Sequence, residues 1–322
     1  MPDFQEILKT DNVVFLSEDS FLAQRRLDRT VSQMEDLIDM AGSGKPLPVT
    51  EIREDGGCCA VALEGIFDGE TLVLTAAVSG PEERDIFRGL AAELFRISPP
   101  AKIIDLDAED RLIEKAVISY FSSMVLDYFT QCSPFFQDYD SVYSETRIEK
   151  ASQVIGRLHR EGIIFPDGTS VLEICCGNGM STIGLRKAGI DPDISADIND
   201  DEISVGLHHG VLKKDSTLVL DASKLSHFFD KDRFGACIGF MIGTIHMYDK
   251  NMWLDILNEI ILVTKPGGRL LLTIRTPEET AVVDDFMRSK GISGSVIDNR
   301  DDETEYDQWI WTGTVPRHHS AS

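Results

Sequence analysis

Residues 171–180 have the sequence VLEICCGNGM, and this stretch decides the fold of the second half of the chain. A strand-like apolar run is followed by a turn with Gly177 and Gly179, and a helical pattern then continues to about residue 188. Glycine lets a backbone approach a ligand closely, and the first N–H groups of a helix can bind an anion. The stretch therefore predicts a buried strand that ends in a ligand-binding turn, although Gly-x-Gly alone also fits a tight turn with no ligand.

Strand-like and helix-like segments alternate regularly around this turn. Apolar runs begin near residues 171, 193, 218, 236 and 268, and a helical pattern follows each of them. Such alternation indicates βαβ units and a parallel sheet. Two further strand-like runs, at 295–299 and 307–315, are joined by the acidic loop NRDDETEYD (299–307). The sequence thus predicts an α/β fold with a seven-stranded, mostly parallel sheet that closes with an antiparallel hairpin.

The first 130 residues have a different organisation. A helix is predicted over 17–41 with Ser17 as its N-cap, and helices are predicted from Pro81 to about 97 and over about 108–130. Between them, the apolar runs 58–66 and 71–79 flank an Asp-Gly pair, which predicts a hairpin. These patterns predict a smaller α+β domain over 1–130, a linker over 131–149 and the α/β domain over 150–322.

Acidic residues follow the predicted strands of the second domain. Asp197 ends the second strand, 20 residues beyond Gly177, where a carboxylate can bind ribose hydroxyls. Asp221-Ala222 ends the third strand, and a tight Lys-Pro-Gly-Gly-Arg turn over 265–269 precedes the fifth. In this order the motifs resemble those of the Rossmann-like class I S-adenosylmethionine-dependent methyltransferases. The resemblance covers about 165 residues of the chain.

That resemblance implies S-adenosylmethionine as cofactor. It implies that the acidic residue of the first strand helps to hold the methionyl part and that the two glycines line the cofactor. It also implies that the second-strand acid and its neighbour bind ribose and adenine, and that the third-strand pair contacts the adenine ring. The implied cofactor residues are Glu173, Gly177, Gly179, Asp197, Ile198, Asp221 and Ala222. The turn departs from the family pattern, because Cys175 and Cys176 stand where many relatives have Gly or Ala and Met180 replaces a frequent third glycine.

A dinucleotide site is an alternative for the same turn, since Asp197 also suits the ribose of NAD. Thr182 stands where the third glycine of G-x-G-x-x-G belongs, and a carboxylate at Glu173 would repel a pyrophosphate. The terminal hairpin also argues against NAD.

Two regions are candidates for contact with the methyl acceptor. His246 follows the fourth strand and could act as a general base for a thiol or hydroxyl, or it could be a packing or helix-capping histidine. The linker carries Phe135, Phe136, Tyr139 and Tyr143, which could form an aromatic lid over a sulfonium or could only dock the linker on the core.

The net charge of −24 bears on partners and location. An acidic surface repels phosphate backbones and anionic lipid, so neither free nucleic acid nor a membrane is expected as a partner. No signal-peptide pattern opens the sequence, so a cytoplasmic location is expected. The six cysteines show no zinc spacing, and no metal is expected.

These observations together predict methyl transfer from S-adenosylmethionine to a nucleophilic acceptor. A protein side chain, such as a thiol or hydroxyl, is favoured as acceptor, with the first domain recognising it. A small metabolite as acceptor, and a binding module with the methyltransferase fold but no catalysis, stay as alternatives.

Overall fold

A computed structural model of the chain describes residues 3–44, 47–65, 69–108, 111–132, 137–163, 165–166, 168–246, 248–301 and 305–317. The chain divides into two compact units, Met1–Phe121 and Ser122–Ser322. The division falls inside one helix, Leu112–Cys132, and therefore ahead of the boundary expected at residue 130.

The elements of the first unit are α1 (Phe4–Leu8), β1 (Val13–Leu16), α2 (Phe21–Arg26), α3 (Asp28–Gly42), β2 (Val49–Glu54), β3 (Gly57–Glu64), β4 (Glu70–Thr75), α4 (Pro81–Ile97), β5 (Lys102–Leu106) and α5 (Leu112–Cys132). The strands form a five-stranded mixed sheet with the order β1-β4-β3-β2-β5. Strand β3 pairs antiparallel with both of its neighbours, whereas the two outer pairs are parallel. One apolar cluster joins the sheet to helices α1 and α5, and another joins it to α3 and α4.

The predicted helix over 17–41 is wrong as a single element. The backbone breaks at Leu27, which has a φ of 58° between α2 and α3, and the N-cap of α2 is Ser20 instead of Ser17. Leu27 is fully buried, so its packing in the core stabilises a left-handed conformation that sequence periodicity does not reveal. The predicted hairpin is confirmed by the antiparallel pairing of β3 with β4, while Phe67 and Asp68 of its turn lie outside the described residues.

The elements of the second unit are α6 (Tyr139–Val142), α7 (Glu145–Arg160), β6 (Val171–Ile174), α8 (Met180–Lys187), β7 (Ile194–Asp197), α9 (Asp200–His208), β8 (Thr217–Val219), α10 (Leu225–Phe228), β9 (Phe234–Gly239), α11 (Lys250–Val263), β10 (Thr264–Ile274), α12 (Pro277–Ser289), β11 (Gly294–Asp298) and β12 (Trp309–Thr314). The strands form the predicted seven-stranded sheet, with the order β11-β12-β10-β9-β6-β7-β8. The five strands from β10 to β8 in this order are parallel, and β12 runs antiparallel between β10 and β11, so the Rossmann-like fold with its terminal hairpin is confirmed.

The strand order reverses at β6. From β6 the chain proceeds to β7 and β8 on one side and then returns to β9 on the other side. Loops that leave neighbouring strands in opposite directions open a crevice at the carboxyl ends of those strands, and open α/β sheets bind their ligands there. Within the described ranges, no helix is long and apolar enough to cross a membrane.

Candidate functional site

A cleft of about 710 Å³ lies at this reversal point in the second unit. Its walls include the turn after β6 at 175–178 and the residues after β9, Phe240 and Met241. Arg147 from α7 and Asp307 from the loop before β12 also line it. The volume falls within the range of about 300–1,000 Å³ that small-molecule sites occupy.

The turn after β6 is shaped by three residues in the left-handed region. The φ angles are 54° at Cys175, 52° at Gly177 and 85° at Gly179. A Cβ atom added to Gly179 would lie 2.8 Å from both Val211 and Leu212, so this glycine is required by packing as well as by conformation. A Cβ on Gly177 would meet nothing closer than the Glu202 carboxylate at 3.9 Å. The backbone at Gly177 is therefore open to a ligand in the cleft.

Glu173 lies beneath this turn and is fully buried. Its carboxylate accepts hydrogen bonds from the hydroxyls of Ser181 (2.7 Å), Thr182 (2.7 Å) and Ser195 (2.8 Å). Burial raises the pKa of Glu173, while the three hydroxyl donors act in the opposite direction. The residue is not among those that line the cleft. Glu173 thus connects β6 to α8 and β7 by hydrogen bonds, and these bonds hold the glycine turn in position.

Asp197 joins the turn directly. One oxygen of its carboxylate accepts the N–H of Gly177 at 2.8 Å, and the other accepts the N–H of Asn199 at 2.8 Å. Each carboxylate oxygen has a further lone pair that can accept a hydrogen bond from a hydroxyl. Ile198 beside it is 68% exposed, which leaves an apolar surface free to pack against a planar ring. This arrangement is suited to a ribose and its attached base.

Asp221 and Ala222 lie at the same edge of the sheet, after β8. The Asp221 carboxylate accepts hydrogen bonds from the backbone N–H (2.9 Å) and hydroxyl (2.7 Å) of Ser223, and Lys224 Nζ lies 3.4 Å from it. Burial acts to raise the pKa of Asp221, but these donors and the Lys224 charge lower it overall. Ala222 is buried. The side chain of Asp221 therefore caps its own turn, and neither residue lines the cleft.

The structure places His246 away from the cleft lining. Its side chain is exposed and its ring stacks on Tyr248, with 5.0 Å between ring centroids. Its backbone N–H donates to Asp249 Oδ1 at 2.7 Å, immediately before α11. The contact with Asp249 is made by the backbone N–H and not by the imidazole. The general-base interpretation and the packing or helix-capping interpretation of His246 both stay predictions.

The described part of the aromatic linker docks on the glycine turn. Tyr139 and Tyr143 stack with 4.4 Å between ring centroids, and the Tyr143 hydroxyl donates to the carbonyl of Asn178 at 3.0 Å. His209 meets both rings edge-on. Phe135 and Phe136 of the expected lid lie outside the described residues. The tyrosines thus fix the linker against the turn, which is what the docking interpretation predicts.

Two cleft residues, Arg147 and Asp307, were not predicted from the sequence. The guanidinium carbon of Arg147 lies 3.8 Å from the ring centroid of Tyr306, and this cation–π contact orients it. Asp307 is only 4% exposed, and burial raises its pKa. The acidic segment NRDDETEYD is typical of a solvated loop, so the sequence does not indicate that the Asp307 carboxylate is buried. The only sequence signal for Arg147 is a basic residue in the first turn of a helix that follows the aromatic linker.

The thiols of the turn are held in the protonated form. Burial raises the pKa of Cys175 to about 12 and raises that of Cys176 well above its usual range. Within the described ranges, no group of three or more His, Cys, Asp or Glu residues is arranged to hold a metal ion.

No model of a known protein family matches the sequence. Among curated proteins, the chain is 25% identical over 154 residues to demethylmenaquinone methyltransferase of Shouchella clausii (strain KSM-K16), in a match that covers 45% of this chain. The match spans about 61% of the length of that curated relative. The resemblance to methyltransferases that the ordered motifs predicted is thereby confirmed.

Solved structures to which the chain is similar include the 1,6-didemethyltoxoflavin-N1-methyltransferase of Burkholderia thailandensis, with 13% identity and a TM-score of 0.41 over 62% of this chain and 91% of that one. Magnesium protoporphyrin IX methyltransferase from Synechocystis PCC 6803 has 15% identity and a TM-score of 0.40 over 62% of this chain and 96% of that one. The fold assignment rests on the strand order and register of the second unit itself.

Proposed function

We propose that this chain is an enzyme that transfers a methyl group from S-adenosylmethionine to a nucleophilic acceptor. The observation that carries the proposal is the hydrogen bond from Gly177 to Asp197 at the reversal point of the sheet, beside a cleft of ligand size. A glycine turn fixed in this way presents open backbone to one part of a ligand and a carboxylate to another.

The residues present fit the cofactor. Gly177 leaves room where a side chain would otherwise stand, which suits close approach of the methionyl part. Arg147 lines the cleft and is the residue best suited to bind the cofactor's carboxylate, because a guanidinium can donate two parallel hydrogen bonds. Asp197 and the exposed Ile198 suit the ribose and adenine. Glu173 serves the site indirectly, by holding the turn in place.

The cofactor supplies an electrophilic methyl carbon on a sulfonium. The chain's own residues need only align the acceptor with that carbon and exclude water, since positioning alone removes much of the barrier of a displacement reaction. The turn at 175–178 and the residues after β9 both line the cleft, which suits such positioning.

The acceptor is the finer part of the proposal. A protein side chain was favoured from the sequence because the first unit is a large addition for a methyltransferase, and recognition of the acceptor is the role we assign to that unit. A small metabolite is the alternative acceptor. The size of the cleft favours it, because about 710 Å³ can hold part of the cofactor together with a compact second molecule.

Calorimetry separates the proposal from its rivals. We expect saturable binding of S-adenosylmethionine and S-adenosylhomocysteine and no binding of NAD. The geometry argues against NAD because Thr182, at the third-glycine position, donates to the buried Glu173 carboxylate. Binding of NAD alone would contradict the proposal, whereas cofactor binding without methyl transfer to any component of a cell extract would favour the non-catalytic binding module.

A matched pair of variants tests the assignment of Arg147. Arg147→Met should weaken binding of S-adenosylhomocysteine by about tenfold or more, and Arg147→Lys should recover part of the loss because it retains the charge without the paired donors. If both variants bind with the affinity of the unaltered chain, Arg147 does not hold the cofactor.

A further inference from the structure

Asp307 is a buried carboxylate that lines the cleft, and none of the proposed cofactor contacts involves it. It lies in the loop between β11 and β12, and only 4% of it is exposed. Two basic side chains of α7, Arg147 and Lys150, act on it through space, and Lys150 itself pairs with Asp301. A buried charge of this kind is expensive unless it has a partner or a task.

One hydroxyl fixes the orientation of this carboxylate. Thr273 is fully buried on β10, and its oxygen accepts the backbone N–H of Met241 at 2.8 Å. The same hydroxyl donates to Asp307 Oδ1. The Met241 N–H uses one acceptor position of this hydroxyl and leaves its single proton available to donate to Asp307. The carboxylate is thus held as a hydrogen-bond acceptor.

The backbone around this group is strained at two positions. Met241 and Asp307 are not glycines, yet their φ angles are 46° and 51°. They meet directly, since the N–H of Asp307 donates to the sulfur of Met241 at 3.2 Å. Both residues line the cleft. Left-handed conformations at such residues persist where the surrounding structure enforces them, and they cluster at functional sites.

We propose that Asp307 is the general base of the reaction and that the acceptor presents a hydroxyl or an amine. This inference rests on the proposed methyl transfer. As the oxygen or nitrogen of the acceptor forms its bond to the methyl carbon, its proton passes to the Asp307 carboxylate. The electron pair of the broken carbon–sulfur bond stays on sulfur. A carboxylate or thioether acceptor has no proton to lose and would have no use for Asp307.

The central test compares Asp307→Asn with Asp298→Asn in the full chain. Asp298 is the matched control, because it lies in the same hairpin but is exposed and bound to Arg300. Two quantities are measured: affinity for S-adenosylhomocysteine by calorimetry, and transfer of label from methyl-labelled S-adenosylmethionine into a cell extract. For Asp307→Asn we expect affinity within about twofold of the unaltered chain and transfer reduced on the order of 10²-fold or more. The control should change neither.

Thr273 provides a second test, as a positioning residue. The rate of the unaltered chain should rise with pH as Asp307 ionises. Removing the hydroxyl in Thr273→Val takes away a donor that favours the ionised form, so the rise should move to higher pH, and Thr273→Ser should restore it. Within the described residues, Arg147 and Lys150 are the charged groups that act on Asp307, and Asp301 pairs with Lys150; all three are unchanged in these variants. A purely structural role would lower the rate without moving the pH profile.

Two results would overturn the inference. Transfer by Asp307→Asn at the rate of the unaltered chain would show that no proton passes to this carboxylate. Loss of S-adenosylhomocysteine affinity in the same variant would show that Asp307 binds the cofactor instead. Failure of the unaltered chain to bind S-adenosylhomocysteine would instead contradict the proposed function, so the two failures are distinguishable.

Discussion

At the residue scale, Asp197 connects the glycine turn to the proposed ribose site. Asp197→Ala removes an acceptor for the Gly177 N–H and for any ribose hydroxyl. Charge-assisted hydrogen bonds contribute roughly 1.5–3 kcal/mol, which corresponds to a loss of about tenfold to a hundredfold in affinity for S-adenosylhomocysteine. Calorimetry on the two proteins measures this directly. Unchanged affinity would show that Asp197 is not the ribose ligand.

Glu173 allows a prediction about stability. Burial raises its pKa above the value in the unfolded chain, so its contribution to stability is fully present below the unfolded value and is lost as pH rises through the folded one. Glu173→Gln has no such ionisation. The free energy of unfolding of the unaltered chain, relative to this variant, should therefore decrease from acidic to neutral pH in denaturant titrations. Glu149→Gln, which changes an exposed carboxylate on α7, is the control. A constant difference across pH would contradict the assignment.

The sequence identified these acidic residues but not their orientations. Glu173 and Asp197 were both predicted as ligands, yet one is buried against three hydroxyls and the other faces the turn. Asp307 was missed because the left-handed backbone that places it in the cleft has no signature in an acidic loop. Motif spacing predicts where a side chain is along a strand, whereas its final contacts depend on how the adjoining loops bend.

At the scale of elements, helix α9 packs closely against the glycine turn. A Cβ atom on Gly206 would lie 2.6 Å from the carbonyl oxygen of Asn178 in the turn. Gly206→Ala should therefore lower the free energy of unfolding by about 1–3 kcal/mol, despite the better helix propensity of alanine, and should weaken cofactor binding. Gly156→Ala in α7 is the matched control, because its nearest neighbour would be Arg160 at 3.8 Å.

The control variant should have the opposite effect on the free energy of unfolding. With no clash, Gly156→Ala should raise the free energy of unfolding by about 0.5–1 kcal/mol. Thermal and denaturant unfolding of both variants measure these opposite signs. Stabilisation by Gly206→Ala would mean that α9 and the turn are not in close contact.

The strands of the second unit were easier to predict from the sequence than those of the first unit. Most residues of the parallel strands of the second unit are buried, and β9 and the second half of β10 show nearly continuous apolar runs in the sequence. In the first unit, β1, β2 and β5 were not predicted. They are four to six residues long, β1 and β5 are edge strands, and β2 has the mixed sequence VTEIRE. Short strands of this kind are specified by their neighbours, not by their own pattern.

At the scale of the whole molecule, the division of the chain inside α5 determines where it can be cut. Leu126 in the second half of this helix packs against a cluster that includes Cys176 and Leu207, and Ser122 donates to the carbonyl of Thr217. Phe129 lines the cleft. A fragment that begins at residue 131, as the sequence suggested, loses all of these contacts, whereas a fragment that begins at residue 122 keeps them.

We therefore expect the fragment 122–322 to fold and to bind S-adenosylhomocysteine with nearly the affinity of the full chain, because every proposed cofactor contact lies within it. The fragment 131–322 should have a free energy of unfolding about 1–3 kcal/mol lower than that of 122–322, because it exposes apolar surface that Leu126 covers. It should therefore unfold at a lower denaturant concentration. Both fragments should fail to transfer label to the acceptor if the first unit recognises it. Full transfer by 122–322 would show that the first unit has another role, and an insoluble 122–322 fragment would show that the two units depend on each other for folding.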